Sequence, residues 1–521
     1  MSFLRCLSIT LLFAFLGAGV TRAADDAPAA RTKNAGSLID EPDVALRKFT
    51  VAPGLKVDLF AAEPDVRNPV ALSIDGRGRV FVVESDRRRS SVFDIRGHKD
   101  WLEPDFSFRT VRERAEFLKQ QVSPTNPVVI KRLTGSGGNG NFADFNRDGV
   151  IDWHDLEVQT ERIRLLEDTH GDGRADRASI FADGFTNIVA GVAAGVLAHG
   201  DDVYFACIPD LWRISESAIS RSVNSGGNAA AARPSLNTDS LITTPLLSGF
   251  GVHIAFGGHD MHGLIFGPDG KLYWSIADRG TDTNLFAKIK NPNLGLTPEL
   301  LADSGCIFRA NPDGSDFEVV AWGLRNPQEL AFDDYGNLFT ADNNGDGGDK
   351  ARWHYVVEGA DFGWRIGWQW LEARAYQPKM GPWNGERLWH LAGSNTAAYL
   401  LPPLAHIGHG PAGLAYNPGT GLPSQFDRHF FLCDFPGHVL TWTNIPDGAS
   451  FKVGPVQNFF GDLGPTDVAF HPDGGLLVSD WFKSFDKSDK GRIYRIHDPA
   501  TDQSAAVKET KRLLAEGMEK S

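Results

Sequence analysis

The sequence predicts an all-β chain folded as a six-bladed β-propeller, with a polar, partly helical insertion in its first blade. Three observations predict it. A two-strand pattern closed by a Gly turn occurs in four clear copies, and two degenerate copies fill the gaps between them. The turns recur at blade length: Gly270 to Gly336 spans 66 residues, and Gly336 to Gly474 spans 138, two units. Gly is also abundant, at 56 of 521 residues, above the usual ~7 %, which suits a chain of many short strands and tight turns.

The four clear copies run Leu72 to Glu84, Leu264 to Asp278, Leu330 to Asp342 and Val468 to Asp480. Each reads as an apolar strand, a turn in which Gly takes positive φ, and an alternating strand that ends near an acidic residue. The degenerate copies run Val192 to Ile214 and Gly413 to Trp442. Leu55 to Phe60 and Gly491 to Ile496 both read as outer strands. One is expected to complete the other's blade and close the ring, leaving few free edges.

The propeller is expected over residues 46–497, with the insertion at about 98–180 and a short charged helix at 109–121 inside it. Before it, Arg5, the apolar run Leu7 to Val20 and Thr21-Arg22-Ala23 read as a signal peptide over residues 1–23. A flexible leader follows at 24–45. A periplasmic or secreted protein is expected, with no membrane span after cleavage. Residues 221–235 read as a disordered loop, and 498–521 as a tail whose apolar Val507, Leu513 and Leu514 suggest a helix.

Net charge of −14 argues against a nucleic-acid partner, because phosphates need Lys and Arg to neutralise them. It fits a soluble protein that binds cations or neutral molecules, and a small-molecule or glycan substrate is expected. The mature chain keeps Cys207, Cys306 and Cys433 and has no CxxCH, so covalent haem is not expected and buried free thiols are.

Two acidic loops have calcium-loop character. Asp144, Asn146, Asp148, Asp152 and Asp155 fall at positions 1, 3, 5, 9 and 12, with Gly149 at the turn. Asp168, Asp172 and Asp176 form a shorter version in which His170 replaces an oxygen ligand. A third oxygen-rich stretch, Asp342, Asn343 and Asp346, follows an inner strand without strict spacing.

Residues just ahead of the inner strands of a propeller meet on one face. Here they include His259, Asp260 and His262, then Arg325, Asn326 and Gln328, then His409 and Thr466. A neutral His can take a hydroxyl proton while Arg stabilises negative charge. The same groups can equally tie blades together. The aromatic run Phe362, Trp364, Trp368 and Trp370 suits either sugar stacking or packing between blades.

The segments around His259-Asp-Met-His-Gly and Trp322-Gly-Leu-Arg325-Asn326-Pro327-Gln328 resemble soluble quinoprotein glucose and sorbosone dehydrogenases. Leu166 to Arg177, Phe181 to Phe185 and Gly258 to Gly263 look closer still to membrane-bound-dehydrogenase propellers of planctomycetes and related bacteria. The resemblance implies a dehydrogenase acting on a sugar or alcohol, with His259, Arg325 and Asn326 catalytic. It implies pyrroloquinoline quinone held by Arg325, Asn326, Gln328, His262, Asp342 and Asn343, and calcium near Asp342 and Asp346. The chain stops where longer members add helical repeats and a cytochrome c domain, so a separate electron acceptor is expected. Gly464, Thr466 and Pro436 stand where the family places further cations for the quinone's carboxylates. Two alternatives stand beside this: a non-catalytic propeller binding a glycan or protein, and a calcium-dependent lactonase-type hydrolase.

Overall fold

The turn chemistry of the repeats is realised as a single device. In each clear copy a backbone amide and carbonyl bracket a five-residue loop: Asp75 N to Arg79 O, Gly267 N to Lys271 O, Asp333 N to Asn337 O and His471 N to Gly475 O, at 2.7–3.1 Å. The fourth residue of each loop, Gly78, Gly270, Gly336 or Gly474, has φ between 75° and 88°. A side chain is strained there, so the loop selects Gly.

These hairpins assemble into six sheets, the blades of a propeller, antiparallel except where Ala360–Asp361 joins the third in parallel. The computed structural model describes residues 41–135, 141–215, 245–291, 295–347, 349–368, 381–388, 400–482 and 487–516. The signal peptide, most of the leader, the 221–235 loop, Trp370 and the last residues of the tail lie outside them. Inner strands Pro69–Ile74, Gly195–His199, Met261–Phe266, Pro327–Phe332, Pro411–Tyr416 and Pro465–Phe470 pack side by side, the last against the first. Four of them begin with Pro, whose missing N–H costs least at a strand start.

The ring closes as expected. Lys56–Ala62 pairs antiparallel with Arg492–His497, so the N-terminal strand is the outermost strand of blade six. Apolar side chains fill the layers between adjacent blades, with Trp274, Trp353 and Trp442 fully buried. Cys207, Cys306 and Cys433 are free, buried thiols. The tail forms the helix Ala505–Glu516, with Val507 buried. Among the described residues, no helix is long and apolar enough to cross a membrane.

The insertion differs from the expectation of 98–180. Glu161–Glu167 and Arg177–Phe185 are the third and fourth strands of blade one, so the excursion runs from Asp86 to Thr160. The charged look of Glu161–Glu167 misleads because its arginines are matched: Arg162 pairs with Asp86 at 2.5 Å and Arg164 with Glu84 at 2.9 Å. Nor is the excursion merely polar. Phe93, Ile95, Trp101, Leu118, Val129 and Leu133 form a buried core with Val252, Ile254 and Phe256. Its longest helix is Val111–Gln121, capped by Thr110 and Glu113 in reciprocal hydrogen bonds.

Arg87 anchors this excursion. Its buried guanidinium donates to the carbonyls of Leu156, Gln159, Thr186, Asn187 and Ala190 at 2.6–3.4 Å. The excursion thereby lies over segment 249–260, which leads into blade three. Ile95 N donates to Ala255 O, Gly257 N to Asp94 Oδ2 and Ile254 N to Asp105 Oδ1, at 2.6–3.0 Å.

Candidate active site at the propeller axis

The acidic residue near the end of the second strand in five of the six blades shows where chemistry departs from architecture. In four blades it pins backbone amides ahead of its own inner strand. Glu84 accepts from Arg67 N, Asp342 from Arg325 N and Asn326 N, Asp434 from His409 N and Gly410 N, and Asp480 from Gly464 N. In blade three the acid is Asp278, and it serves side chains instead. Its Oδ1 accepts from His259 Nδ1 at 2.8 Å and from Arg279, and its Oδ2 from Trp364 Nε1 at 2.9 Å.

His259 is 2 % exposed. Its ring lies on Phe256, with centroids 4.2 Å apart, and Asp278 holds Nδ1, leaving Nε2 with no partner among the described residues. Burial, helped by the Arg325 and Arg279 charges, pushes the ring's pKa down to about 4 against the pull of Asp278. Burial alone would raise Asp278, but Arg279 and then His259 hold it well below the usual carboxylate range. The pair is therefore a neutral imidazole beside a fixed anion.

Arg325 stands beside it. Its guanidinium carbon is 5.3 Å from the Phe256 ring and 5.3 Å from Trp364, and Nη2 donates to Asp346 at 2.9 Å. Asn326 follows at the head of the blade-four inner strand, 1 % exposed, with its side-chain oxygen buried and unbonded. Trp364 reaches Asp278 because Ala360–Asp361 joins the outer edge of blade three, and Trp364 N donates to Gly323 O at 2.7 Å. Of the aromatic run, Phe362 and Trp364 are packed in, not presented for stacking.

His259, Arg325 and Asn326 thus share one constellation. The other sequence candidates make the following contacts around it. His262 spends both ring nitrogens on backbone: Asp260 N donates to Nε2 at 3.1 Å and Nδ1 donates to Ala194 O at 3.2 Å. Gln328 donates its side-chain amide to Gly258 O at 2.9 Å and so braces the approach to His259. Asp342 accepts from the Arg325 and Asn326 amides and pairs with buried Arg352. Asn343 accepts from Asn344 N at 2.8 Å, and Asp346 carries the Arg325 ion pair.

The two acidic loops are also folded on themselves. Asp144 accepts from Gly149 N, Asn146 from Asp148 N, Asp148 from Val150 N, Asp152 from His154 N, and Asp155 from Phe145, Asn146 and Asp152 amides. Asp144 Oδ1 remains buried without a partner. Asp168 and Asp176 cap the amides of residues 169–173, Asp172 accepts from Arg174 N, and His170 pairs with Asp176 at 2.6 Å. Among the described residues, no three His, Cys, Asp or Glu are grouped to hold a metal.

Sequence reasoning missed Asp278, Phe256 and the arginines of the excursion. Asp278 was visible only as the end of a repeat, and Phe256 has no motif. The signal for the arginines was the run Arg87-Arg88-Arg89 straight after a repeat.

The constellation sets two acceptors, the Nε2 lone pair of His259 and the buried Oδ1 of Asn326, beside one cationic donor, Arg325. Residues 222–389 match the glucose/sorbosone dehydrogenase family, and residues 41–218 match a domain of unknown function, DUF7133. Quinoprotein glucose dehydrogenase B of Acinetobacter calcoaceticus is 29 % identical over 125 residues, which is 20 % of this chain and 26 % of that protein. The match therefore spans about a quarter of that relative. Among solved structures, a glucose-dehydrogenase-like oxidoreductase of Thermus thermophilus is 16 % identical at a TM-score of 0.47, covering 85 % of this chain and 100 % of its own. The PQQ-bound aldose sugar dehydrogenase of Streptomyces coelicolor is 15 % identical at 0.42, covering 86 % and 100 %.

Proposed function

We propose that the axial face oxidises a hydroxyl of a small sugar or other alcohol, with pyrroloquinoline quinone as its cofactor and a separate molecule as final electron acceptor. The observation that carries this reading is the His259–Asp278 pair. Asp278 fixes Nδ1 as the protonated nitrogen, so Nε2 presents a lone pair to the site. With its pKa pushed down to about 4 by burial, the ring is neutral at pH 7 and can accept a proton.

Arg325 and Asn326 would hold the quinone, whose chemistry supplies the two-electron acceptor. His259 Nε2 takes the substrate hydroxyl proton, and Asp278 stabilises the imidazolium that results. Arg325 favours negative charge developing on the substrate oxygen. Phe256 and Trp364, both buried, keep water from the flank of His259. The sugar-dehydrogenase match of residues 222–389, which contain His259, Arg325 and Asn326, supports the reading.

A periplasmic or secreted location completes it, on the strength of the N-terminal apolar run. The Asp144–Asp155 loop is proposed to take a structural calcium ion through the buried, unpaired Asp144 Oδ1.

The test is reconstitution. Protein mixed with quinone and calcium is expected to gain quinone absorbance and dye-linked activity on a sugar panel. His259→Ala is expected to lose the activity with its circular dichroism unchanged. No absorbance and no turnover in the wild type overturns the reading, and glycan binding without turnover would favour a non-catalytic propeller.

A further inference from the structure

We infer that Asp105, supplied by the first-blade excursion, is a positioning residue for the proposed reaction: it shares the charge of Arg279 and so leaves Asp278 free to stabilise the imidazolium form of His259. The inference rests on the reading above, that His259 accepts the substrate proton.

Asp105 sits in the short helix Leu102–Ser107 and is fully buried. Its Oδ1 accepts from Ile254 N at 2.6 Å, and its carbonyl accepts from His253 Nδ1 at 2.7 Å. Its Oδ2 is buried with no hydrogen-bond donor among the described residues, 3.6 Å from Arg279 Nη1. Arg279 is buried as well and spans the gap to the candidate site. Nη1 donates to Ile254 O at 2.9 Å, while Nε and Nη2 donate to Asp278 Oδ1 at 3.1 and 3.0 Å. The same Asp278 oxygen accepts from His259 Nδ1. Ile254 is thus held by Asp105 at its N–H and by Arg279 at its carbonyl. A single guanidinium lies between the carboxylate of the excursion and the carboxylate that orients His259.

Capping alone does not account for Asp at this position. Asn offers the same oxygen to Ile254 N without a buried charge, and a charged oxygen left without a donor costs more than a neutral one. What Asn lacks is the charge. The groups facing that charge are Arg279, Arg114 from the helix Val111–Gln121, Asp278 and His253. Burial, helped by the Arg279 charge, pushes His253 down to about 3, so it is neutral. Asp303, on the other side of His253, pairs with Arg109 at 3.1 Å. The charges of Asp105, Asp278, Arg279 and Arg114 therefore cancel. Without Asp105 the others carry a net positive charge, which opposes an imidazolium at His259. Burial pushes Asp105 up to about 7 against the pull of Arg279, so the cancellation is completed only above neutral pH.

The test uses the full chain with quinone and calcium, as wild type, Asp105→Asn and Thr110→Ala. Asn keeps the acceptor for Ile254 N and removes the charge. Thr110→Ala removes the cap of the helix Val111–Gln121 and so loosens the excursion without touching Asp105. In Asp105→Asn, kcat at about pH 8 is expected to fall about three- to tenfold with KM nearly unchanged, because a weaker base slows proton transfer and leaves binding alone. Wild-type kcat is expected to fall by a similar factor as pH drops through about 7, toward the level of the variant, whose own profile lacks that step. Thr110→Ala is expected to lower the unfolding midpoint and keep the wild-type profile. A second readout needs no turnover: the imidazole nitrogen shifts of isotope-labelled histidine, with His259 assigned by its loss in His259→Gln. In Asp105→Asn the His259 ring is expected to protonate at lower pH than in wild type. A kcat at the wild-type level or an unmoved His259 titration in Asp105→Asn overturns the inference, as does a Thr110→Ala variant that reproduces the kinetic change. Should Asp105→Asn not fold, the wild-type step decides, and its absence overturns the inference. If wild type shows no quinone-dependent turnover, the dehydrogenase reading fails, and the His259 titration alone decides the role of Asp105.

Discussion

Asp278 accepts the Nδ1 hydrogen of His259 at 2.8 Å, and both side chains are almost wholly buried. The equivalent acids of blades one, four, five and six accept backbone amides. Blade three therefore uses a repeated structural position to orient an imidazole. Arg279 and Trp364 complete the carboxylate's shell, so the anion is satisfied without capturing the proton.

This pair sets a pH dependence. His259 must be neutral to accept a proton, so activity is expected above its pKa of about 4 and lost below it. Asp278 favours the protonated ring, so Asp278→Asn moves the acid limb of kcat/KM to still lower pH. It also frees the tautomer, and kcat is expected to fall by about 10²–10⁴-fold. A pH–rate profile of both proteins checks this, and an unmoved acid limb would show that His259 is not the titrating group.

Arg87 governs the excursion that covers the site. Arg87→Leu removes the donor for five carbonyls and is expected to cost about 3–5 kcal/mol. Denaturant unfolding measures the loss. Limited proteolysis should place new cleavage between residues 86 and 160, whereas an intact excursion with unchanged stability contradicts the anchoring role.

The ring was legible because its turns obey local rules: Gly78, Gly270, Gly336 and Gly474 need positive φ whatever surrounds them. The bounds of the excursion were not, because Arg162 and Arg164 read as solvent-facing until their partners Asp86 and Glu84, some eighty residues earlier, are seen. The site was half legible for a similar reason. His259, Arg325 and Asn326 sit in motifs, but Asp342 and Asp278 occupy the same place in the repeat. Only the third dimension tells the backbone clamp from the residue that orients His259. His262 shares the motif of His259 yet spends both nitrogens on backbone, which no spacing reveals.

The Asp144 loop is expected to respond to calcium. Its carboxylates now cap loop amides, and Asp144 Oδ1 is left buried without a partner. At about 10 mM calcium, well above the Kd typical of extracellular loops, the unfolding midpoint is expected to rise by about 2–5 °C. A chelator should reverse the rise, and Asp144→Ala should abolish it. Calorimetry with and without calcium decides, and an identical rise in Asp144→Ala would move the ion elsewhere.

Asn326 separates function from architecture most directly. A buried oxygen without a hydrogen bond costs about 1–3 kcal/mol, and a fold has no use for that cost. Leu has similar volume and no polar atom to desolvate. Asn326→Leu is therefore expected to leave the ligand-free protein as stable as wild type or raise its unfolding midpoint. The same substitution removes a polar contact from the face beside Arg325, so quinone affinity and dye-linked turnover are expected to fall by at least tenfold. Opposite movement of stability and binding marks the residue as kept for its ligand. If Asn326→Leu instead lowers the midpoint by several degrees and binds quinone normally, the amide serves the blade and has no part in the site.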